Sequence, residues 1–240
     1  MKLDRLIAKH RSLGRSEAHR LIAAGRVLVD GLCSLANQHE INRFTRVELD
    51  AEIVQSPQRA LYLMMHKPAG VVSATVDAGH RTVVDLLHDP DKHTLHIAGR
   101  LDRWSTGLLL LTNDGRWSKQ LMDASSKVPK TYVVETDSRI PSDAVAAFAG
   151  GFHFAAEDIT TQPAELVLLD DCRARVTIHE GRHHQIKRMF GRLGCFVTAL
   201  HRESISGLTL PEDLLPGQWR EVTAEERGLS AWSKICCSTH

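Results

Sequence analysis

Residues His96 to Gly115 read HIAGRLDRWSTGLLLLTNDG. An apolar approach from Leu95 to Ala98 leads into Gly99-Arg100, then an acid at Asp102, then an uncharged run from Ser105 to Thr112. Leu108 to Leu111 is too short for a buried helix and is closed by Asn113-Asp114-Gly115, so a strand entering a turn is expected. Asp102 is thereby held between two strands at an edge of the core. A lone Asp in such a place usually shapes a turn. A chemical role for it depends on partners supplied elsewhere in the chain.

The 240 residues are 42% hydrophobic, enough to bury a substantial core as one large domain or as a small one plus a medium one. Formal net charge is +1, so nucleic-acid binding has to be argued from where basic residues lie. The five cysteines, Cys33, Cys172, Cys195, Cys236 and Cys237, form an odd set without Cys-x-x-Cys, and an adjacent pair is poorly placed to bridge. A reducing, cytoplasmic compartment is expected. The N-terminus lacks an apolar core for export, and no apolar run approaches the roughly 20 residues that span a bilayer, so no membrane role is expected.

Outward from the opening stretch, the chain begins with two helical patterns. Leu3, Leu6 and Ile7 recur at helical spacing, Gly14 interrupts, Ser16 is a candidate cap, and Leu21 with Ile22 forms an apolar face ended by Gly25. A strand at Arg26 to Val29 turns at Asp30-Gly31, and a later strand is expected at Arg46 to Leu49. Met1 to Arg26 carries seven Lys or Arg against two acids. Polar, proline-containing residues 56–60 read as a linker between a domain over 1–55 and one over 61–227, with little pattern from Gly228 to the end. In the larger domain, strands are expected at Leu61 to Met65, Lys130 to Glu135, Ala164 to Leu169, Arg173 to His179, Val197 to Ile205 and Trp219 to Val222. Short helices are expected at Thr82 to Leu87, Arg116 to Met122 and from Pro141 to Phe148. Pro68 and Gly70 mark a tight connection. Strands outnumber helices, which implies an α+β architecture with a largely antiparallel sheet.

A second informative stretch runs from Glu180 to Phe190, EGRHHQIKRMF. Ile186, Met189, Phe190 and Leu193 share one helical face while Lys187, Arg188 and Arg192 project elsewhere. From Gly181 to Arg202 there are five Lys or Arg and no acid, a distribution suited to a polyanion. His179-Glu180-Gly181-Arg182-His183 also matches the H-E-x-x-H zinc pattern, which needs both histidines on one helix. His179 ends an alternating strand pattern and Gly181 weakens any helix there, so no metal is expected. A nucleophile elbow, a phosphate-binding loop of Walker type and a dinucleotide fingerprint are all missing from the sequence.

LDRLIAKH and GRSEAHRLIAAGRVLVDG resemble the helices and first turn of an S4 (αL-like) RNA-binding module. In that resemblance Arg15, Arg20 and Arg26 belong to a surface that meets RNA phosphates, which positions a protein without reading sequence. GRLDRWSTGLLLLTNDG, KTYVVET, EGRHHQIKRMFGRLG and LHRESISGL closely resemble RsuA-type pseudouridine synthases, enzymes that isomerise a uridine of ribosomal RNA. The resemblance spans Met1 to about Glu226. It implies an S4 domain followed by a catalytic domain with a mixed, largely antiparallel sheet flanked by helices. HQIKRMF and LHRESI are most similar to the small-subunit branch, which implies 16S rRNA or a small-subunit assembly intermediate as partner, with uridine 516 as target. A monomer without cofactor is implied as well.

The same resemblance makes Asp102 the nucleophile, Lys187 its basic partner, Tyr132 the residue packed on the target base and Arg100 the residue filling the RNA stack. Arg182 and Arg188 join the RNA-binding set. A carboxylate suits the task because it is ionised near neutrality without an activating base. Base extrusion costs a few kcal/mol, which filling the gap must offset. One departure stands out: Trp104 occupies a position where relatives carry a small or acidic residue, and Ser105 stands where Thr is usual. Other readings of the chain are a catalytically silent RNA-binding or assembly protein, a large-subunit target, and a zinc hydrolase.

Overall fold

The computed structural model describes residues 1–230, and the chain divides into two compact units, residues 1–60 and residues 61 onward. Cys236 and Cys237 lie outside the described residues.

In the first unit, α1 (Leu3–Arg11) and α2 (Arg15–Ala23) form a hairpin beside a four-stranded sheet in the order β2-β1-β3-β4. Its strands are β1 (Val27–Val29), β2 (Leu32–Cys33), β3 (Val47–Leu49) and β4 (Glu52–Gln55). Leu3, Ile7, Ala18 and Ile22 project from the helices onto Val27, Val29, Val47 and Leu49, the inward residues of alternating strands, and make one small core. Gly14, not Ser16, occupies the cap position of α2, and no side chain caps that helix. The fourth strand was not expected, because Glu52–Gln55 offers little apolar alternation. Residues 56–60, expected as a linker, belong to this unit, with Gln58 N donating to Arg43 O over 2.8 Å.

The second unit is a nine-stranded mixed sheet with helices against it. Its elements are β5 (Tyr62–Lys67), β6 (His96–Ala98), β7 (Thr106–Thr112), α3 (Gly115–Met122), β8 (Lys130–Thr136), α4 (Ala144–Gly150), β11 (Glu165–Leu168), β12 (Arg173–Ile178), α5 (Gln185–Arg192), β13 (Val197–Ile205), β14 (Leu208–Thr209), β15 (Trp219–Glu221) and α6 (Ala224–Ser230). A separate two-stranded ribbon is made by β9 (His153–Phe154) and β10 (Ile159–Thr160). The sheet runs β11-β12-β8-β13-β7-β5-β15, with β14 on β13 and β6 on β7. Among the described residues, β13 and β7 are the one parallel pair of neighbours in this sheet.

The run Leu108 to Leu111 is apolar at every position because β7 is buried on both faces. Leu109 and Leu111 join Leu63 and Met65 in one core, while Leu108 and Leu110 join Met64, Ala98 and Trp117 in another. Asn113-Asp114-Gly115 is more than a turn: Asp114 caps α3 by accepting from the backbone N–H groups of Arg116 and Trp117. The expected helix at Thr82 to Leu87 is a single 3-10 turn, Val84–Leu86. Gly228 to Ser230, expected as patternless tail, close α6.

Candidate active site

One edge of β7 is shared by two strands, and the site lies where they part. β6 pairs with Leu110 to Thr112, whereas β13 pairs with Thr106 and Gly107. Arg202 of β13 fills the fork. Its Nε donates to Leu108 O at 2.8 Å, and its other guanidinium nitrogens donate to Gly99 O at 2.7 Å and Tyr132 Oη at 3.4 Å. A side chain at Gly107, whose φ is +105°, would run into the Arg202 backbone, so glycine is required for this approach.

The loop from Gly99 to Ser105 joins β6 to β7 and carries Asp102. It is held from several sides. Ser73 Oγ donates to Leu101 O at 2.7 Å, Gly70 N donates to Arg103 O at 2.9 Å, and Arg103 Nε returns a bond to Gly70 O at 3.1 Å. Lys67, at the end of β5, is fully buried and donates to the carbonyls of Pro68, Arg103 and Ser105 at 3.0, 3.1 and 2.8 Å. Burial pulls its pKa down to about 8, against the upward pull of Asp102 and with a smaller downward push from Arg202.

Opposite the loop, the N-terminus of α5 presents two groups to the acid. His184 and Lys187 are three residues apart and so share the side of the first turn. Lys187 Nζ donates to Asp102 Oδ2 at 2.8 Å, and His184 Nε2 lies 3.2 Å from Oδ1. Ile186, Met189 and Phe190 bury the other side of the helix. The turn into α5 is built on Glu180, a buried carboxylate that accepts from Gln162 N, Arg182 Nε and Gln185 Nε2 at 2.9, 2.9 and 2.8 Å. In the H-E-x-x-H segment, His179 follows strand β12 and its Nδ1 lies 2.9 Å from Lys127 O, while His183 stacks on His184 with 3.8 Å between ring centres. Both histidines precede the first turn of α5 rather than lying along one helix.

The resulting open cleft encloses about 920 Å³, room for a nucleotide. Asp102, Tyr132, Lys187, Arg100 and Arg182 all line it. Tyr132 is 7% exposed, with its ring centre 5.9 Å from the Arg202 guanidinium carbon and its hydroxyl accepting from that guanidinium at 3.4 Å. Arg188 is not among the lining residues. It pairs with Glu157 at 2.6 Å and covers the Phe154 ring at 3.8 Å. Lys130 was not singled out in the sequence; it also lines the cleft, donates to Val128 O at 3.0 Å, and has its pKa lowered to about 8, by burial first and then by Arg202. In the first unit, Arg15 pairs with Asp4 at 3.0 Å, Arg20 with Glu17 at 2.9 Å and Arg26 with Asp50 at 2.5 Å.

Arg202, Lys67, Lys130 and His184 escaped the sequence reading. Lys67 gave one signal, a basic residue at the end of an otherwise apolar strand pattern, where a charge must be held by partners, whereas Arg202, between His201 and Glu203, gave none.

Residues 61–191 match the family model described as RNA pseudouridylate synthase. The chain is 48% identical over 226 residues to "Ribosomal small subunit pseudouridine synthase A" of Pseudomonas aeruginosa, covering 94% of this chain and 98% of that one. The same-named protein of Escherichia coli (strain K12) is 39% identical with equal coverage. A solved structure titled "Crystal structure of pseudouridylate synthase" is 35% identical, covers 96% of this chain and 99% of the other, and superposes with a TM-score of 0.70.

Proposed function

The chain belongs to the RsuA family of RNA pseudouridine synthases, and from that premise we propose that it isomerises one uridine of small-subunit rRNA, at position 516, in the cytoplasm. The observation that carries the mechanism is the Asp102 to Lys187 pair, 2.8 Å long, in a cleft that also holds Tyr132.

Asp102 acts as the nucleophile on the nucleoside. The N1 to C1′ bond breaks, the uracil rotates, and C5 bonds to C1′; the bond that the Asp102 carboxylate makes to the nucleoside is broken again and the carboxylate is regenerated, the proton leaves C5 and one arrives at N1. The reaction is redox-neutral and draws on no cofactor. Lys187 supplies a counter-charge to the carboxylate, 2.8 Å away, when RNA excludes water. His184, on the other oxygen, helps fix which lone pair faces the sugar. Tyr132 packs on the extruded base, held by Arg202 through its hydroxyl. Arg100 enters the RNA stack as the uridine leaves it, and Arg182, braced by Glu180, binds phosphate at the mouth. The first unit acts as an S4 module, with Arg15, Arg20 and Arg26 on its RNA side. Its support is the helical hairpin and the excess of basic residues there.

Asp102→Asn is nearly isosteric and leaves the loop's bonds in place. It should lower pseudouridine formation on small-subunit RNA by about 10³-fold or more while RNA affinity holds. Turnover within about tenfold of wild type would sink the nucleophile assignment. Mapping the product base shows whether position 516 or another uridine is the target.

A further inference from the structure

Trp104 is 68% exposed, whereas Trp117 is 7% exposed and Trp219 is half-buried. Leaving an indole in water forgoes a large burial gain, and its exposure has no packing explanation within the second unit. Its position is specific. It lies two residues from Asp102, a chain span of at most about 7 Å, on the same loop. It does not line the cleft itself, although Asp102, Arg103 and Ser105 on either side of it do.

The mounting is rigid. The carbonyl before Trp104 accepts from Gly70 N and Lys67 Nζ, and the carbonyl after it accepts from Lys67 Nζ. A side chain at Gly70 would touch the indole edge at 3.7 Å, so the ring sits against that turn. The Arg103 guanidinium carbon is 5.1 Å from the ring centre and is itself tied to Gly70 O. One face of the indole is therefore taken by a cation, and two-thirds exposure leaves the other free. A fixed, amphipathic ring next to a positive charge is what single-stranded nucleic acid stacks on, and the fixed loop removes the ordering cost.

Resting on the reading that the cleft takes RNA, we propose that Trp104 is a stacking platform for an unpaired nucleotide beside the uridine seated at Asp102, and thereby a determinant of which uridine is accepted. Arg103 supplies the charge that holds the phosphate of that nucleotide.

The test uses the full chain, a synthetic RNA hairpin carrying the mapped uridine, and the same hairpin with an abasic residue on either side of it. Affinity is measured by direct binding, and KM and kcat by pseudouridine formation. Trp104→Ala should weaken affinity and raise KM by about five- to a hundredfold, with kcat falling far less, and Trp104→Phe should recover most of the loss. One flanking abasic substitution should cost the wild type a similar factor and cost Trp104→Ala nothing further. Equal affinity of Trp104→Ala and wild type, or equal abasic penalties in both, would overturn the proposal. A loss seen only on RNA already carrying ribosomal proteins would identify a protein contact and overturn it too. Because affinity is read directly, a wild type that binds but modifies no uridine would count against the functional reading while leaving the stacking test intact.

Discussion

Arg20 and Arg26 in the first unit stand exposed against Glu17 and Asp50, acids of the same small surface. Arg202 in the second unit is 1% exposed and, among the described residues, meets no carboxylate; its donors go to two backbone carbonyls and a phenol. An exposed pair exchanges its partners for water and salt at little cost, so it is free to meet a phosphate. A buried cation on carbonyls cannot leave, because the groups it satisfies would be stranded. The first kind of arginine is suited to binding, the second to fixing geometry.

The largest expected effect follows from breaking the second kind. Arg202→Met fills the fork between β6 and β13 with an apolar chain and leaves Leu108 O and Gly99 O without donors. Charged bonds of this type contribute about 1.5–3 kcal/mol each, so a loss of about 3 kcal/mol or more is expected. That corresponds to roughly 6–12 °C in Tm for a unit of this size. Activity should fall as well, since Tyr132 loses its tether. Arg202→Lys keeps the charge but gathers its donors on one nitrogen, which lacks the planar fork that spreads Nε and the two terminal nitrogens over Leu108 O, Gly99 O and Tyr132 Oη, and it should not restore the wild-type melt. A Tm within about 2 °C of wild type for Arg202→Met would refute the assignment.

Lys67 sharpens the same comparison through pH. Its folded pKa of about 8 lies below the ordinary 10.5, because burial disfavours the ammonium. Below pH 8 the native state carries a charged amine that the unfolded chain carries without that penalty. Between about pH 8 and 10.5 the native state gives up the proton first, the unfolded state binds more protons, and stability from this group rises with pH. Lys67→Met removes the group from both states. The Tm difference, wild type minus Lys67→Met, should therefore shift in favour of wild type between pH 7.5 and 9.5, measured by thermal melts in matched buffers. A difference that stays flat or moves the other way would mean that the amine is not desolvated. The shift should be smaller than the Arg202→Met loss, since part of the penalty persists at pH 9.5.

Much of this fold could be read from residues alone. Leu108 to Leu111 announced a strand entering a turn, and the spacing of Ile186, Met189 and Phe190 announced a helix with one buried side. Asp102, Tyr132 and Lys187 come from three separate stretches yet line one cleft. The supports of Asp102 were not readable, for a physical reason. Lys67 reaches carbonyls 36 and 38 residues away, and Arg202 reaches carbonyls 94 and 103 residues away. Every residue owns a carbonyl, so the partner leaves no mark in the sequence. Glu180 is the opposite case: its pattern with His179 and His183 is a recognisable zinc motif that the strand pattern and Gly181 already argued against, and the role that could not be read is the carboxylate's inward turn to accept from Gln185 and Arg182. Arg188 matched a basic face, and its pairing with Glu157, 31 residues earlier, left no mark in the sequence.

The smallest effect on stability separates two arginines that look alike in the sequence. Arg20 is 77% exposed in its side chain and pairs with an exposed Glu17, so Arg20→Ala should change stability by no more than about 0.5 kcal/mol. Arg15 pairs with Asp4, whose side chain is fully buried. Burial raises the pKa of that carboxyl, but hydrogen bonds from His19, Arg15 and the Arg5 backbone outweigh it and leave the pKa below the ordinary value. Removing Arg15 thus withdraws a partner from a buried charge and disturbs the helical hairpin, which confounds any binding measurement. Arg20→Ala is the cleaner probe of the RNA side. If its guanidinium meets a phosphate, RNA affinity should weaken, and the slope of log affinity against log salt should shrink by about 1. An unchanged slope, with the melt also unchanged, would remove Arg20 from the RNA-facing surface.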